Sequence, residues 1–195
     1  MNLEDQIRQF VHANSGLEAH RRYLGMSGIA DCPRAQWTRY MNGIDAGDNN
    51  HRNAYRGYLL EKDIKQILIS IGFMKAGSER ELMAEFDNRF RGHTEGEDVN
   101  GGLIEVKTMS KVKYDALVSD RRLAYRHYRQ VQAFMKYGNY TKCTAVIRCT
   151  ETFEFHVLAV QPNYAIMAEL EQKAKMILAC IDENREPPCT CNRCR

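Results

Sequence analysis

The sequence predicts an α/β fold, a mixed sheet flanked by helices. Two observations carry that expectation. Hydrophobic spacing along the 195 residues runs in the order helices, three strands, helix, two strands, helix. The run Asn100-Gly101-Gly102 separates two alternating segments, which is the signature of a hairpin.

Each element has its own warrant. Residues 3–12 place Leu3, Ile7, Phe10 and Val11 on one side of an amphipathic helix. A second helix starts at Cys32-Pro33, with proline in the first turn, and runs to Met41. GIDAGDNNHRN has no apolar period and reads as a loop. From Tyr55 to Ile71, Leu59, Ile64, Ile67, Leu68 and Ile71 recur at helical spacing until Gly72. Segments 80–86, 90–98 and 102–108 read as strands. Residues 112–138 return to one helix, ending at Gly138. TAVIRCT and FEFHVLAV are two further strands, and Pro162 opens a last helix to Ile181. The expected organisation is an N-terminal helical segment (1–54), a core (55–160), and a C-terminal helix with a cysteine-rich tail (161–195), all in one domain.

Composition narrows the class. The chain is 44% hydrophobic and 27% charged, enough for a core and ordinary for a soluble protein. No stretch approaches the roughly 20 apolar residues of a membrane span. The start, MNLEDQIRQF, is acidic and amphipathic rather than signal-like, so an intracellular, cytoplasmic protein without a membrane partner is expected. A net charge of +3 permits nucleic-acid binding without demanding it. Of seven cysteines, Cys32, Cys143, Cys149 and Cys180 are scattered, whereas Cys189, Cys191 and Cys194 crowd the last residues. In a reducing compartment such a cluster reads as metal ligands.

The chemistry concentrates in RGHTEGEDVNGGLIEVKT. On a strand Glu105 and Lys107 share a face, about 7 Å apart, with Val106 turned the other way. The carboxylate suits a hard cation and the lysine suits a water or a phosphate oxygen. A partner acid must come from the preceding strand. With a three-residue loop, Glu97 opposes Glu105 and Glu95 opposes Lys107; with a two-residue turn, Asp98 faces with Glu105 instead. Parity leaves Glu95, Glu97 and Asp98 open.

G-H-T-E-G followed by L-I-E-V-K-T resembles the PD-(D/E)XK nuclease superfamily, in the form of the RecB-like exonucleases, which include CRISPR-associated RecB-like nucleases and lambda-type phage exonucleases. The resemblance implies a restriction-endonuclease-like core with Glu95 as the motif acid, Glu105 as the second acid and Lys107 as the lysine. Glu95 stands where the family usually has Asp, which keeps Asp98, and also His93, as alternative ligands. G-Y-L-L-E, ending at Glu61, resembles the helical motif whose last residue reaches the metal. Tyr128, Gln130 and Gln132 resemble the helical glutamine motif; Phe134 stands where RecB-like members carry a tyrosine, a role that could pass to Tyr137. MSGIADCPRAQWTRY resembles the N-terminal segment of the iron–sulfur RecB-like nucleases. By that resemblance Cys32 joins Cys189, Cys191 and Cys194 around one [4Fe–4S] cluster and links the chain's ends. The C-x-C-x2-C spacing departs from the family's and keeps Zn²⁺ as an alternative.

The resemblance implies a metal-dependent DNA exonuclease acting in replication, recombination, repair or CRISPR adaptation. Glu61, Glu95, Glu105 and the carbonyl of Val106 would hold Mg²⁺ or Mn²⁺, with Lys107 and Gln130 completing the catalytic set. Arg121, Arg122, Tyr125, Arg126 and Arg129 are candidate DNA contacts. The rival readings are a non-catalytic DNA-binding or inhibitory module that keeps the fold, and a zinc-stapled protein-interaction domain.

Overall fold

The computed structural model describes residues 2–16, 22–43 and 47–191. Two sheets organise them. One has the strand order β1 (Leu24–Gly25), β3 (Asp87–His93), β2 (Glu81–Ala84), with β1 parallel and β2 antiparallel to β3. The other has the order β4 (Gly96–Glu97), β5 (Leu103–Met109), β6 (Cys143–Cys149), β7 (Phe155–Val160). Here β5 and β6 run parallel and both outer pairs are antiparallel, so this sheet is mixed, as the pattern predicts.

Among the described residues six α-helices surround the sheets: α1 (Leu3–Ala13), α2 (Pro33–Asn42), α3 (Asp48–Ser70), α4 (Lys111–Asp120), α5 (Tyr125–Gly138) and α6 (Tyr164–Asp182). Side chains alternate along β5 and β6, so the two faces of that sheet bury different sets. Ile104, Val106 and Val146 pack with Ile64 and Leu68 of α3. Leu103, Ala145 and Ile147 belong to the larger core with Val131 and Phe134 of α5 and Leu170 and Ile177 of α6. Trp37 of α2 reaches α6, its indole N–H donating to the Cys180 carbonyl at 3.4 Å. None of the described helices is long and apolar enough to cross a membrane.

The structure departs from the sequence reading in four places. The expected strand 90–98 divides between the two sheets: β3 ends at His93 and β4 begins at Gly96. The expected helix 112–138 is two helices, because Arg121 takes a left-handed conformation (φ 51°) that ends α4. Helix α3 starts at Asp48, so much of the expected loop is helical and the 54/55 boundary falls inside a helix. Helix α1 forms, yet its apolar stripe stays open: Leu3, Ile7 and Phe10 are all exposed, and Phe10 meets the edge of Tyr55.

Candidate active site

Strand β5 has one uncovered edge. β4 pairs only with Leu103 and Ile104. The Leu103 N–H donates to the Lys142 carbonyl next to β6, whereas the Gly102 carbonyl accepts from Asp98 next to β4. In a parallel pair successive residues turn their backbone groups to alternate sides. Odd-numbered residues of β5 therefore bond to β6, and the Val106 carbonyl points to the edge beyond the end of β4.

Glu105 lies on the α5 side of this strand and is fully buried. Its Oε1 receives the Lys107 ammonium at 2.6 Å and the Gln130 amide N–H at 2.8 Å. Its Oε2 is enclosed and has no hydrogen-bond partner among the described residues. Burial works against the charge on Lys107, but the Glu105 carboxylate, with Glu61 and Glu95 further off, holds its pKa above the ordinary value. Lys107 stays an ammonium.

Helix α3 brings in the opposite wall. Ile64 and Leu68 anchor it to the sheet, and the same stripe carries Glu61 and Lys65 at helical spacing. Burial, then the carboxylate of Glu95, push Glu61 up to about 7, with Lys107 and Lys65 opposing. Glu95, in the bend between β3 and β4, is ion-paired to Lys65, which also reaches Glu79 at 3.3 Å. Three acids thus gather with two lysines around the open edge of β5. Lys65 was not singled out from the sequence; its place four residues after Glu61 was the available signal.

The other candidates go elsewhere. Asp98 is committed to its own turn: its carboxylate accepts the N–H of Asn100 and Gly102 at 2.8 and 2.9 Å and pairs with Lys142 at 3.1 Å. Those contacts hold its pKa below the usual range against the effect of burial. Glu97 accepts from the Tyr140 hydroxyl at 2.8 Å and meets Arg80 and Lys75. His93 is exposed beside Glu81. Gln132 is buried like Gln130 but ties α5 to the chain before α6, donating to the Gln161 carbonyl and accepting from the Asn163 N–H. Both glutamines are buried because α5 is enclosed on more than one face: Arg129 to Met135 are buried without interruption. Phe134 is core, and Tyr137 stacks edge-on against Phe90 at 5.5 Å, so neither supplies the expected tyrosine to the site.

Beside the acids a cleft of about 1230 Å³ opens between α3, the end of β5, α4 and the start of α5. Arg122 and Tyr125 line it, together with Arg56, Lys113 and His127. The other predicted DNA contacts lie outside the lining of this cleft. Arg129 is buried, paired to Glu169 and set over the Tyr125 ring. Arg126 pairs with Asp31 at 2.9 Å, and Arg121 occupies the turn after α4, outside the cleft lining.

At the far ends of the chain Cys32, Cys189 and Cys191 bring their sulfurs within 4.8 Å of one another. Cys32 Sγ lies 3.9 Å from Cys189 Sγ and accepts the Thr190 N–H at 3.3 Å. Cys32 also caps α2. Burial opposes its ionisation, but the backbone N–H groups of Thr190, Ala35 and Arg34 outweigh it and lower the thiol to about 5. Cys194 lies outside the described residues. The remaining three cysteines, Cys143, Cys149 and Cys180, are buried singly.

Both donor sets fit the groups the resemblance implies. Three neighbouring sulfurs, one already a thiolate at neutral pH, suit a soft metal or a cluster. An enclosed carboxylate oxygen without a partner, two further acids and a free-edge carbonyl suit a hard divalent ion.

No family model matches the chain, and no curated protein matches it in sequence. Solved structures do. An alkaline exonuclease from Laribacter hongkongensis, LHK-Exo, superposes with a TM-score of 0.62 at 16% identity, over 90% of this chain and 93% of that one. The same exonuclease in complex with dAMP gives 0.65 at 16% identity over the same shares. The protein SSO0001 gives 0.59 at 15% identity, over 91% of this chain and 87% of that one. At such identities the likeness shows architecture: this chain has the mixed α/β fold of that alkaline exonuclease, with sheets flanked by helices and a cluster of Cys32, Cys189 and Cys191.

Proposed function

We propose that the chain is a divalent-metal-dependent DNA exonuclease. The observation that carries the reading is the state of Glu105. A fully buried carboxylate, on a strand with one free edge, has one oxygen held by Lys107 and Gln130 and the other enclosed without a partner among the described residues. A structural ion pair has no use for an unpartnered buried oxygen, which costs about 1–3 kcal/mol or more. DNA is the proposed substrate, in line with the exonuclease fold and with Arg56, Lys113 and Arg122 in the cleft lining, which also holds Asp120 and Glu151.

Glu61, Glu95, Glu105 and the Val106 carbonyl would hold Mg²⁺ or Mn²⁺, which when bound lowers the pKa of a water and offsets charge on the scissile phosphate. Gln130 fixes the rotamer of Glu105. Lys107 donates to the attacking water or to a phosphate oxygen as negative charge builds there. Lys65 fixes the long side chain of Glu95. Arg122, Lys113 and Arg56 bind the DNA backbone along the cleft. Cys32, Cys189 and Cys191, with Cys194, would hold a [4Fe–4S] cluster or Zn²⁺ that joins the two ends of the chain, as in the RecB-like iron–sulfur exonucleases that the sequence resembles.

One preparation tests the whole reading. The protein is purified without oxygen, its visible spectrum and metal content are recorded, and it is assayed on end-labelled DNA with Mn²⁺ or EDTA. Shortening of DNA that needs Mn²⁺ and is lost in Lys107→Ala supports the nuclease. Absorbance near 400 nm supports the cluster and one zinc per colourless chain supports the alternative. DNA binding without cleavage under any divalent ion would overturn the catalytic reading.

A further inference from the structure

His127 has no role in the set described so far, yet it lies where the cleft meets the acids. It lines the cleft. It also precedes Gln130 by three residues, so the two share a face of α5. Gln130 meets Glu105, and Lys107 follows Glu105 on the same face of β5. One turn back on the helix thus corresponds to one repeat on along the strand, and His127 stands at the Lys107 end of the site. Its Nδ1 is enclosed and has no hydrogen-bond partner among the described residues. Burial, followed by the positive charges of Lys107, Arg126 and Lys113, lowers its pKa to about 4, so the ring is neutral at neutral pH.

We propose that His127 contacts the DNA strand in this site, its Nε2–H donating to a phosphodiester oxygen as a neutral hydrogen-bond donor. The tautomer follows from the surroundings. A proton on Nδ1 would be a buried donor with no acceptor among the described residues. The lone pair belongs there, which leaves the proton on Nε2, the nitrogen not enclosed, for the cleft. The neutral state gives the residue a function that its neighbours lack. Arg122, Lys113 and Arg56 bind phosphate through charge, and each such contact releases a counterion. A neutral donor fixes the position of a phosphate without adding to that release. His127 would set the register of the strand beside Lys107, while the cations supply most of the affinity.

The inference rests on the nuclease reading and is tested so that the two fail separately. Binding of fluorescent single- and double-stranded DNA is measured across a salt series with Ca²⁺ replacing Mn²⁺, for the full chain and its variants. His127→Ala is expected to weaken binding about tenfold at every salt concentration, the loss of one hydrogen bond to a charged group. The slope of log K against log [salt] should stay unchanged, whereas Arg122→Ala should reduce it by about one. His127→Gln, whose amide can replace the donor, should recover most of the loss. The wild-type imidazole nitrogens, assigned in long-range ¹H–¹⁵N spectra by comparison with His127→Gln, should show the neutral Nε2–H form at pH 7. An Nδ1–H form, an imidazolium, or His127 variants that bind like wild type would overturn the assignment even if DNA is cleaved. A wild-type protein that neither binds nor cuts DNA would overturn the nuclease reading, and the nitrogen spectra would still decide the tautomer.

Discussion

Lys107→Met isolates the central electrostatic arrangement of the site. The substitution keeps the aliphatic stem and deletes the ammonium that lies 2.6 Å from Glu105 Oε1. The pair is well shielded: the Glu105 side chain is 0% exposed and that of Lys107 17%. Breaking such a pair from one side costs about 3–5 kcal/mol, because a buried charge is left behind. Glu105 can limit the loss by taking up a proton. At pH 7 this costs a carboxyl of ordinary pKa 4.5 about 3.4 kcal/mol, which caps the penalty. The expected destabilisation is therefore about 3 kcal/mol, a fall in Tm of roughly 10 °C for a chain of this size. The sign of the pH dependence follows. The variant keeps its proton on Glu105 when folded and releases it on unfolding above pH 4.5, so its stability falls by about 1.4 kcal/mol per pH unit as pH rises from 5 to 7. Its deficit against wild type should shrink towards pH 4.5. Thermal melts in EDTA from pH 5 to 8, with Mn²⁺-dependent cleavage of end-labelled DNA on the same samples, measure both effects. Cleavage should drop at least about a hundredfold. Burial raises the pKa of Glu105 and Lys107 opposes it; a variant with wild-type Tm and no added pH slope would refute that role for Lys107.

Three further outcomes are expected. Because Glu61 holds a proton up to about pH 7, a divalent ion must displace it. Mn²⁺ affinity measured calorimetrically should rise about tenfold per unit from pH 5 to 7 and then level off, whereas Glu61→Gln should bind more weakly with a flat profile. The two buried glutamines should separate. Gln132→Met loses two hydrogen bonds to the chain before α6 and should lower stability by about 2 kcal/mol with Mn²⁺ affinity intact, whereas Gln130→Met should weaken Mn²⁺ binding through Glu105. Cys32→Ser should lose the bound cluster or zinc by metal analysis and lower Tm; full retention of metal would remove Cys32 from the ligand set.

Part of the site was legible from local periodicity and part from the resemblance. Period two on a strand put Glu105 and Lys107 on one face, whereas Glu61 came from the likeness of G-Y-L-L-E to a known helical motif, and the structure sets it on the stripe of Ile64 and Leu68. The hairpin parity was also within reach. The observed register pairs Glu97 with Leu103 and Gly96 with Ile104, slid by two residues from the three-residue-loop reading. A slide of two keeps the parity, and Glu95 still falls on the side of Glu105. Asp98 was misweighed because an aspartate just before Asn-Gly-Gly can bond the turn's own backbone, a local use that competes with metal binding. Of the two arginines on α5, Arg126 is exposed and Arg129 is not, for a tertiary reason. A basic residue near a helix start reads as exposed, but α5 lies between the sheets and α6, and Arg129 is buried against Glu169. His127 carried no signal of its own until Gln130 was seen to meet Glu105.

The split of the expected 90–98 strand is what opens the site, and it rests on one residue. Gly96 sits at φ 145°, a backbone conformation closed to residues with a side chain. An added Cβ would also lie 2.1 Å from Met74 Cε and 2.9 Å from Ser78 Oγ. This bend lets the chain leave one sheet at His93 and enter the other at Gly96, and it presents Glu95 at the crossing point. It also limits β4 to two residues, so β5 is uncovered beyond Ile104 and the Val106 carbonyl is left unpaired by any strand. The adjacency of acid and glycine in Glu95-Gly96 is thus a backbone requirement of the site. Gly96→Ala should cost about 1–3 kcal/mol in strain, plus the clash with Met74, and should displace Glu95. The clash can be relieved separately from the strain. Gly96→Ala combined with Met74→Ala removes the clash, at the cost of a core cavity, and should regain none of the Mn²⁺ affinity, because φ is still wrong. Full recovery of Mn²⁺ binding in that double variant would show that space, and not backbone conformation, is what the glycine provides.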